Sequence, residues 1–282
     1  MIAVTGATGQ LGALVIQQLL LHVPAEQVVA LVRNPAKAAE QLPAGIQIRA
    51  ADYNDVNSLE SALLGVTKLL LISSSEVGQR VVQHKNVVQA AKAAGVPYIV
   101  YTSILRADST PIALGKEHLE TERFIIDSGL AYTILRNGWY TENYTASIPA
   151  ALQHGGLIGA AGEGRISSAA RQDYAEAAAA VLVSNGHAGK IYELAGDDFY
   201  TLAEFAAELS RQTGQNVPYH NLTESEFRSA LLGAGLPTWL AELLADADAG
   251  VEKGALFDES HQLGQLIGRA TTPFGRVIGS AI

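Results

Sequence analysis

The chain has 282 residues, enough for about two domains at roughly 150 residues each, or one large domain with an appended lobe. Apolar types make up 48% and charged types 17%, a balance that excludes a disordered chain. The net charge of −9 argues against binding to nucleic acid or anionic lipid, and the lack of cysteine excludes disulfides, thiolate metal sites and a cysteine nucleophile. Residues 1–25 carry no Asp, Glu, Lys or Arg, yet they have no basic start for a signal peptide. Thr5, Thr8, Gln10, Gln17, Gln18 and three glycines break them up as a membrane span, so no membrane association and a cytoplasmic location are expected.

In chain order, 2–5 is a short apolar run, followed by a glycine turn and a helical pattern with Leu11, Leu14, Val15 and Leu19 on one face. Further apolar runs at 28–32, 46–49, 68–72, 98–102 and 131–135 read as strands. Helices are predicted over 58–64, 81–94 and about 116–127. Runs that are continuous in apolar character mark strands buried on both faces, and their alternation with helices predicts a doubly wound, parallel, Rossmann-like α/β sheet. Beyond residue 140 short strands are predicted at 157–160, 190–194 and 217–219, and helices at 172–184, 202–213, 224–234 and 238–252. The expected division is a Rossmann domain over 1–150 and a smaller, mostly helical lobe over 151–282, with segments of about 157–196 returning to the main sheet. The tail from 254 either folds back or stays mobile on this reading.

The most informative motif is Gly6-Ala7-Thr8-Gly9-Gln10-Leu11-Gly12, directly after the first strand and opening the first helix. Such a turn lets backbone N–H groups approach a pyrophosphate at the positive end of a helix, which makes Gly6, Thr8, Gly9, Gln10 and Leu11 candidate dinucleotide contacts. The second strand ends at Val32 and is followed by Arg33, where an NAD enzyme usually has an acid for the ribose 2′-hydroxyl. A guanidinium there can pair with a 2′-phosphate instead, so NADPH is expected over NADH. Asp52 after the third strand is a candidate acceptor for the adenine amino group. Ser73, Ser74 and Ser75 after the fourth, with Thr102 closing the fifth, are candidates for the ribose and nicotinamide side.

With these residues in view, the chain resembles the atypical short-chain dehydrogenases that include the NmrA-like proteins, and among them the quinone-reducing bacterial members. The resemblance is carried by MIAVTGATGQLG at the N-terminus, LLLISSSEVGQR at 69–80, AAKAAGV at 90–96, LRNGWYTENY at 135–144, YELAG at 192–196 and TLAEFAAEL at 201–209. It implies flavin-free hydride transfer from NADPH to a small quinone, with Asn137 among the residues around the cofactor. The same group contains non-catalytic NADP(H) sensors and reductases of triphenylmethane dyes, and both remain open alternatives. A homodimer is possible.

Ordinary short-chain dehydrogenases pair a Ser with Tyr-x-x-x-Lys; here Ser103 follows Thr102, but Leu114 and His118 fall where the Tyr and Lys would stand. A quinone gains aromaticity on reduction and can take its proton from water, so the missing pair suits a quinone substrate, and suits a protein without catalysis equally well. His118 is a candidate acid near the nicotinamide. Tyr140, a second candidate for catalysis, joins Asn143, Tyr144 and Ser103 as candidate contacts for a flat aromatic substrate. No His, Asp or Glu cluster has metal-ligand spacing, and no G-x-S-x-G nucleophile turn is present, so neither a metal nor hydrolase chemistry is expected.

Overall fold

The computed structural model describes residues 1–282. The chain begins β1 (Ile2–Val4), α1 (Gln10–Leu19), β2 (Val28–Val32), α2 (Pro35–Gln41), β3 (Gln47–Ala50), α3 (Val56–Ala62) and β4 (Lys68–Leu71). It continues α4 (Arg80–Ala93), β5 (Tyr98–Ile104), α5 (Gly115–Asp127), β6 (Ala131–Asn137), α6 (Thr141–Thr145), α7 (Ile148–His154), β7 (Leu157–Gly159) and α8 (Arg171–Val183). It ends β8 (Lys190–Leu194), α9 (Leu202–Thr213), β9 (Tyr219–Asn221), α10 (Glu224–Gly233), α11 (Thr238–Glu252), α12 (Gln262–Ile267) and α13 (Phe274–Gly279). No helix is long and apolar enough to cross a membrane.

Seven strands form one sheet in the order β3-β2-β1-β4-β5-β6-β8, and the pairs from β3 through β6 are parallel. This is the Rossmann-like, doubly wound architecture that the strand–helix alternation predicts. The chain winds outward from β1 to β3 on one side and from β4 to β6 on the other. The carboxyl ends of β1 and β4 therefore flank the point where the winding reverses, which is where such sheets open a crevice. All five residues of β2 are buried, as a run apolar on both faces requires.

The chain divides into two compact units, neither of them contiguous in sequence. The first comprises residues 1–104, 116–137 and 171–192; the second comprises 105–115, 138–170 and 193–282. Of the stretch 157–196, α8 and most of β8 thus belong with the main sheet, whereas β7 pairs with β9 in a separate two-stranded sheet. In the first unit Val29, Leu31, Leu69, Leu71, Ile99, Tyr101 and Ile134 form the core. In the second, Trp139, Tyr144, Tyr200, Phe205, Leu256 and Ile278 do so. The tail is ordered within the second unit: Phe274 stacks on Tyr200 at 4.2 Å between ring centroids, and Ile278 is fully buried.

Local chemistry explains several boundaries. Asn34 accepts from the Lys37 N–H and Pro35 takes the first turn, so α2 starts there. Asp55 accepts from the Asn57 and Ser58 N–H groups at the start of α3, two residues before the predicted start. The strand predicted at 217–219 lies at Tyr219–Asn221 instead, as β9, because Val217 is buried and its N–H donates to Ser210 Oγ at 2.9 Å.

Candidate functional site

The glycine turn is built by two backbone requirements. Gly6 has φ +58°, a left-handed conformation that favours glycine, and its carbonyl accepts from the Gly9 N–H at 2.9 Å. A Cβ on Gly12 would fall against the Gly6 carbonyl oxygen and within 2.9 Å of the Ala7 Cα, so the helix can lie this close to the turn only with glycine at that position. No side chain caps α1 at Gly9 and no acid stands in its first turn, whereas Glu204 and Glu226 close capping boxes on α9 and α10. The positive end of α1 is therefore left to an anion. Thr8, Gly9 and Gln10 are exposed there, while Leu11 is buried beneath.

The other predicted cofactor residues lie at the same edge of the first unit, on the carboxyl ends of β2 to β6. Arg33 is exposed, its Nη1 lying 3.6 Å from a Glu76 carboxylate oxygen. Asp52 is half-buried, and its Oδ1 accepts from the Asn54 N–H at 2.9 Å. The Ser73 N–H donates to Thr102 Oγ1 at 2.9 Å, which uses the Thr102 hydroxyl to tie β4 to β5. The Ser74 N–H donates to His84 Nε2 at 2.9 Å and its hydroxyl to Gln83 Oε1 at 2.5 Å, while Ser75 is exposed. At the end of β6, Asn137 is 5% exposed and its Oδ1 has no hydrogen-bond partner. A buried acceptor left unpaired is costly, and a donor group of a bound molecule would satisfy it.

Behind this edge is a buried polar network that the sequence reading did not find. Arg80 donates from Nε to the Ser74 carbonyl at 2.7 Å and from Nη1 to Glu117 at 2.9 Å, while the other Glu117 oxygen accepts from the Gly78 N–H at 2.7 Å. Because His84 Nε2 accepts from the Ser74 backbone, its proton sits on Nδ1 and is donated to Thr121 Oγ1 at 3.0 Å. Burial, with a smaller contribution from Arg80, lowers the His84 pKa to about 3.

His118, expected as an acid, is in this interior instead. It is 4% exposed, its Nδ1 is 2.7 Å from the Tyr101 hydroxyl, and burial first, then Arg80 and His84, hold its pKa well below the ordinary imidazole value. It is neutral at pH 7 and faces no solvent. Ser103 is likewise committed, its hydroxyl donating to Glu122 Oε1. Glu122 in turn accepts two hydrogen bonds from Arg136, at 3.0 and 2.8 Å, in a pair whose side chains are 2% and 7% exposed. The serine expected to meet substrate is thus part of a buried structural triad.

In the second unit, Tyr140 and Asn143 are half-buried at the start of α6, where the Asn143 N–H donates to the Tyr140 carbonyl at 3.0 Å. Tyr144 departs from expectation: it is core, packed edge-on to Tyr200, with its hydroxyl 3.5 Å from Asp248 Oδ1. Asp248 Oδ2 also accepts from the Ala160 N–H at 2.9 Å, and burial raises this carboxyl to a pKa of about 6. Its alternation with small residues in Ala-Asp-Ala-Asp-Ala looks like a solvated helix face, so sequence offered no signal for it.

Residues 6–185 match the family model described as NAD(P)H-binding. The chain belongs to the NAD(P)H-binding family. Within the NAD(P)H-binding family it is 61% identical over 272 residues to quinone oxidoreductase 2 of Escherichia coli strain K12, covering 96% of this chain and 95% of that one. It is 32% identical to an NAD(P)H azoreductase of Xenophilus azovorans, covering 86% and 85%. Among solved structures, an NADPH-dependent quinone oxidoreductase from Escherichia coli complexed with NADPH superposes at TM-score 0.96 with 59% identity, over 99% of both chains. A Citrobacter triphenylmethane reductase complexed with NADP(H) superposes at 0.95 with 40% identity, over 100% of both. The regulator NmrA, 16% identical at TM-score 0.77 over 98% of this chain and 93% of that one, shares the fold.

Proposed function

We propose that the protein is an NADPH-dependent, flavin-free reductase of small quinones, working in the cytoplasm. The full-length likeness to quinone oxidoreductase 2 carries this reading. The residues present also fit the cofactor: a cradle that a Cβ on Gly12 would fill, an uncapped helix start, an exposed guanidinium after β2 and the unpaired Asn137 acceptor. The first unit would hold the dinucleotide. Gly6 and Thr8 to Leu11 would bind the pyrophosphate, Arg33 the 2′-phosphate, Asp52 the adenine amino group, and Ser73 to Ser75 with Thr102 the ribose and nicotinamide side. Asn137 Oδ1 would accept an N–H or O–H of the same molecule. When bound, NADPH supplies a hydride, and a quinone that receives it becomes a hydroquinone anion.

Tyr140 and Asn143 are the proposed contacts for a flat aromatic substrate, with no metal taking part. His84 and His118 are buried and held neutral, so neither is the proposed proton donor, and on this reading the hydroquinone oxygen takes its proton from water. A triphenylmethane dye is a second acceptor to test, on the likeness to the Citrobacter reductase.

The test is anaerobic stopped-flow absorbance of NADPH mixed with protein and a simple benzoquinone, beside protein-free and Arg33→Asp controls. Saturable oxidation above background, with the preference for NADPH lost in Arg33→Asp, is the expected result. Tight NADPH binding without turnover would favour a sensor instead. Light scattering on the eluted protein tests the homodimer.

A further inference from the structure

The loop 73–79, whose wording stood out in the sequence, presents one carboxylate toward the cofactor edge. Glu76 Oε1 lies 3.6 Å from Arg33 Nη1, and Oε2 accepts from Gln83 Nε2 at 2.8 Å. Gln83 is 2% exposed and its own Oε1 accepts from Ser74 Oγ, which also accepts from the Glu76 N–H at 3.1 Å. The carboxylate is therefore held in place from behind by a buried amide. In the sheet β1 lies between β2 and β4, so an ion pair from the end of β2 to the loop after β4 reaches across the exit of β1, where the glycine turn begins.

We propose that Glu76 sets cofactor discrimination by competing with the 2′-phosphate of NADP(H) for Arg33. This rests on the reading that Arg33 receives that phosphate. A guanidinium already paired with a carboxylate gives up part of that attraction to take a phosphate, and the fixed negative charge of Glu76 remains nearby to repel it. NADH lacks the 2′-phosphate and meets little of either effect. The carboxylate thus holds NADPH affinity below what Arg33 alone would give.

Glu76→Gln keeps an amide oxygen for Gln83 and removes the charge. The measurement is calorimetric titration of NADPH and NADH into wild type, Glu76→Gln, Arg33→Gln and the double variant, with melting temperatures recorded for each. Glu76→Gln should tighten NADPH by about two- to fivefold, the range of one exposed ion pair, and NADH by distinctly less. In the Arg33→Gln background the gain for NADPH should shrink. An unchanged or weakened NADPH affinity, or an equal shift for both cofactors, would overturn the role of Glu76. If Arg33→Gln erases the preference for NADPH while Glu76→Gln changes nothing, the Glu76 proposal alone fails. If Arg33→Gln leaves the preference intact, the phosphate reading fails and takes this proposal with it.

Discussion

Asp248 offers a direct test of the interior of the second unit. Its side chain is buried, with the Ala160 N–H and the Tyr144 hydroxyl as partners, and burial outweighs both in raising the pKa from 3.8 to about 6. A rise of about two units corresponds to roughly 3 kcal/mol at ~1.4 kcal/mol per unit. The sign follows from linkage: between about pH 4 and pH 6 the unfolded chain releases this proton while the folded chain retains it. Stability from this group therefore falls as pH rises through that window, and the full penalty persists above it. Asp248→Asn removes the charge and keeps an oxygen for the Ala160 N–H, with the Tyr144 oxygen placed to accept from the new amide. The variant should be more stable than wild type by up to about 3 kcal/mol near pH 8, and the gain should vanish near pH 4. Both tryptophans, Trp139 and Trp239, lie in the second unit, so urea unfolding followed by their fluorescence reads the relevant part of the chain. A gain that is independent of pH, or a variant less stable near pH 8, would refute the reasoning.

Other perturbations test the first unit. Gly12→Ala should weaken NADPH binding by at least roughly tenfold, because its Cβ meets turn backbone and not a movable side chain; near-native affinity in a calorimetric titration would contradict the cradle. Glu122→Gln should cost about 3 kcal/mol in urea unfolding by leaving the buried Arg136 charge poorly paired, and a loss under about 1 kcal/mol would count against it. His84, with its pKa lowered from 6.5 to about 3, binds a proton more readily in the unfolded chain. Stability should therefore be lost as pH falls below 6.5, by about 2 kcal/mol near pH 5. His84→Gln should flatten that acid limb in circular dichroism, and parallel limbs for the two proteins would rule the effect out.

The elements most legible in the sequence were those whose local chemistry and burial agree. Val28–Val32, Leu202–Thr213 and Thr238–Glu252 match their predicted ranges, the first as an apolar run and the second behind a Thr201–Glu204 capping box. The helices α6, α7, α12 and α13 span only five to seven residues, too few turns for a periodicity to show. At the candidate site, the glycine turn and the strand ends could be named because their position in a βαβ unit gives them a shared edge. What sequence could not supply was which polar groups have partners. Ser103 and Asn137 both sit near strand ends, yet the first is taken by Glu122 and the second is left unpaired. Glu122 and Arg136 meet only because the chain crosses over from α5 to β6, which places residues fourteen apart side by side. Tyr144 shows the same limit for aromatics, whose surface and core roles have one sequence signature.

The interrupted make-up of the two units governs how this protein can be taken apart. The chain passes from one unit to the other after residues 104, 115, 137, 170 and 192, so no single cut yields either unit whole. A fragment ending at residue 150 would hold β1 to β6 but lack α8, which packs on α1 through an alanine-rich buried face. The face of α1 that packs on α8 would then lose its cover. Exchange of a whole unit between relatives by swapping one contiguous gene segment would leave that unit incomplete, because each unit is made of three segments. Such exchange has to proceed by point substitution or by several short grafts made together.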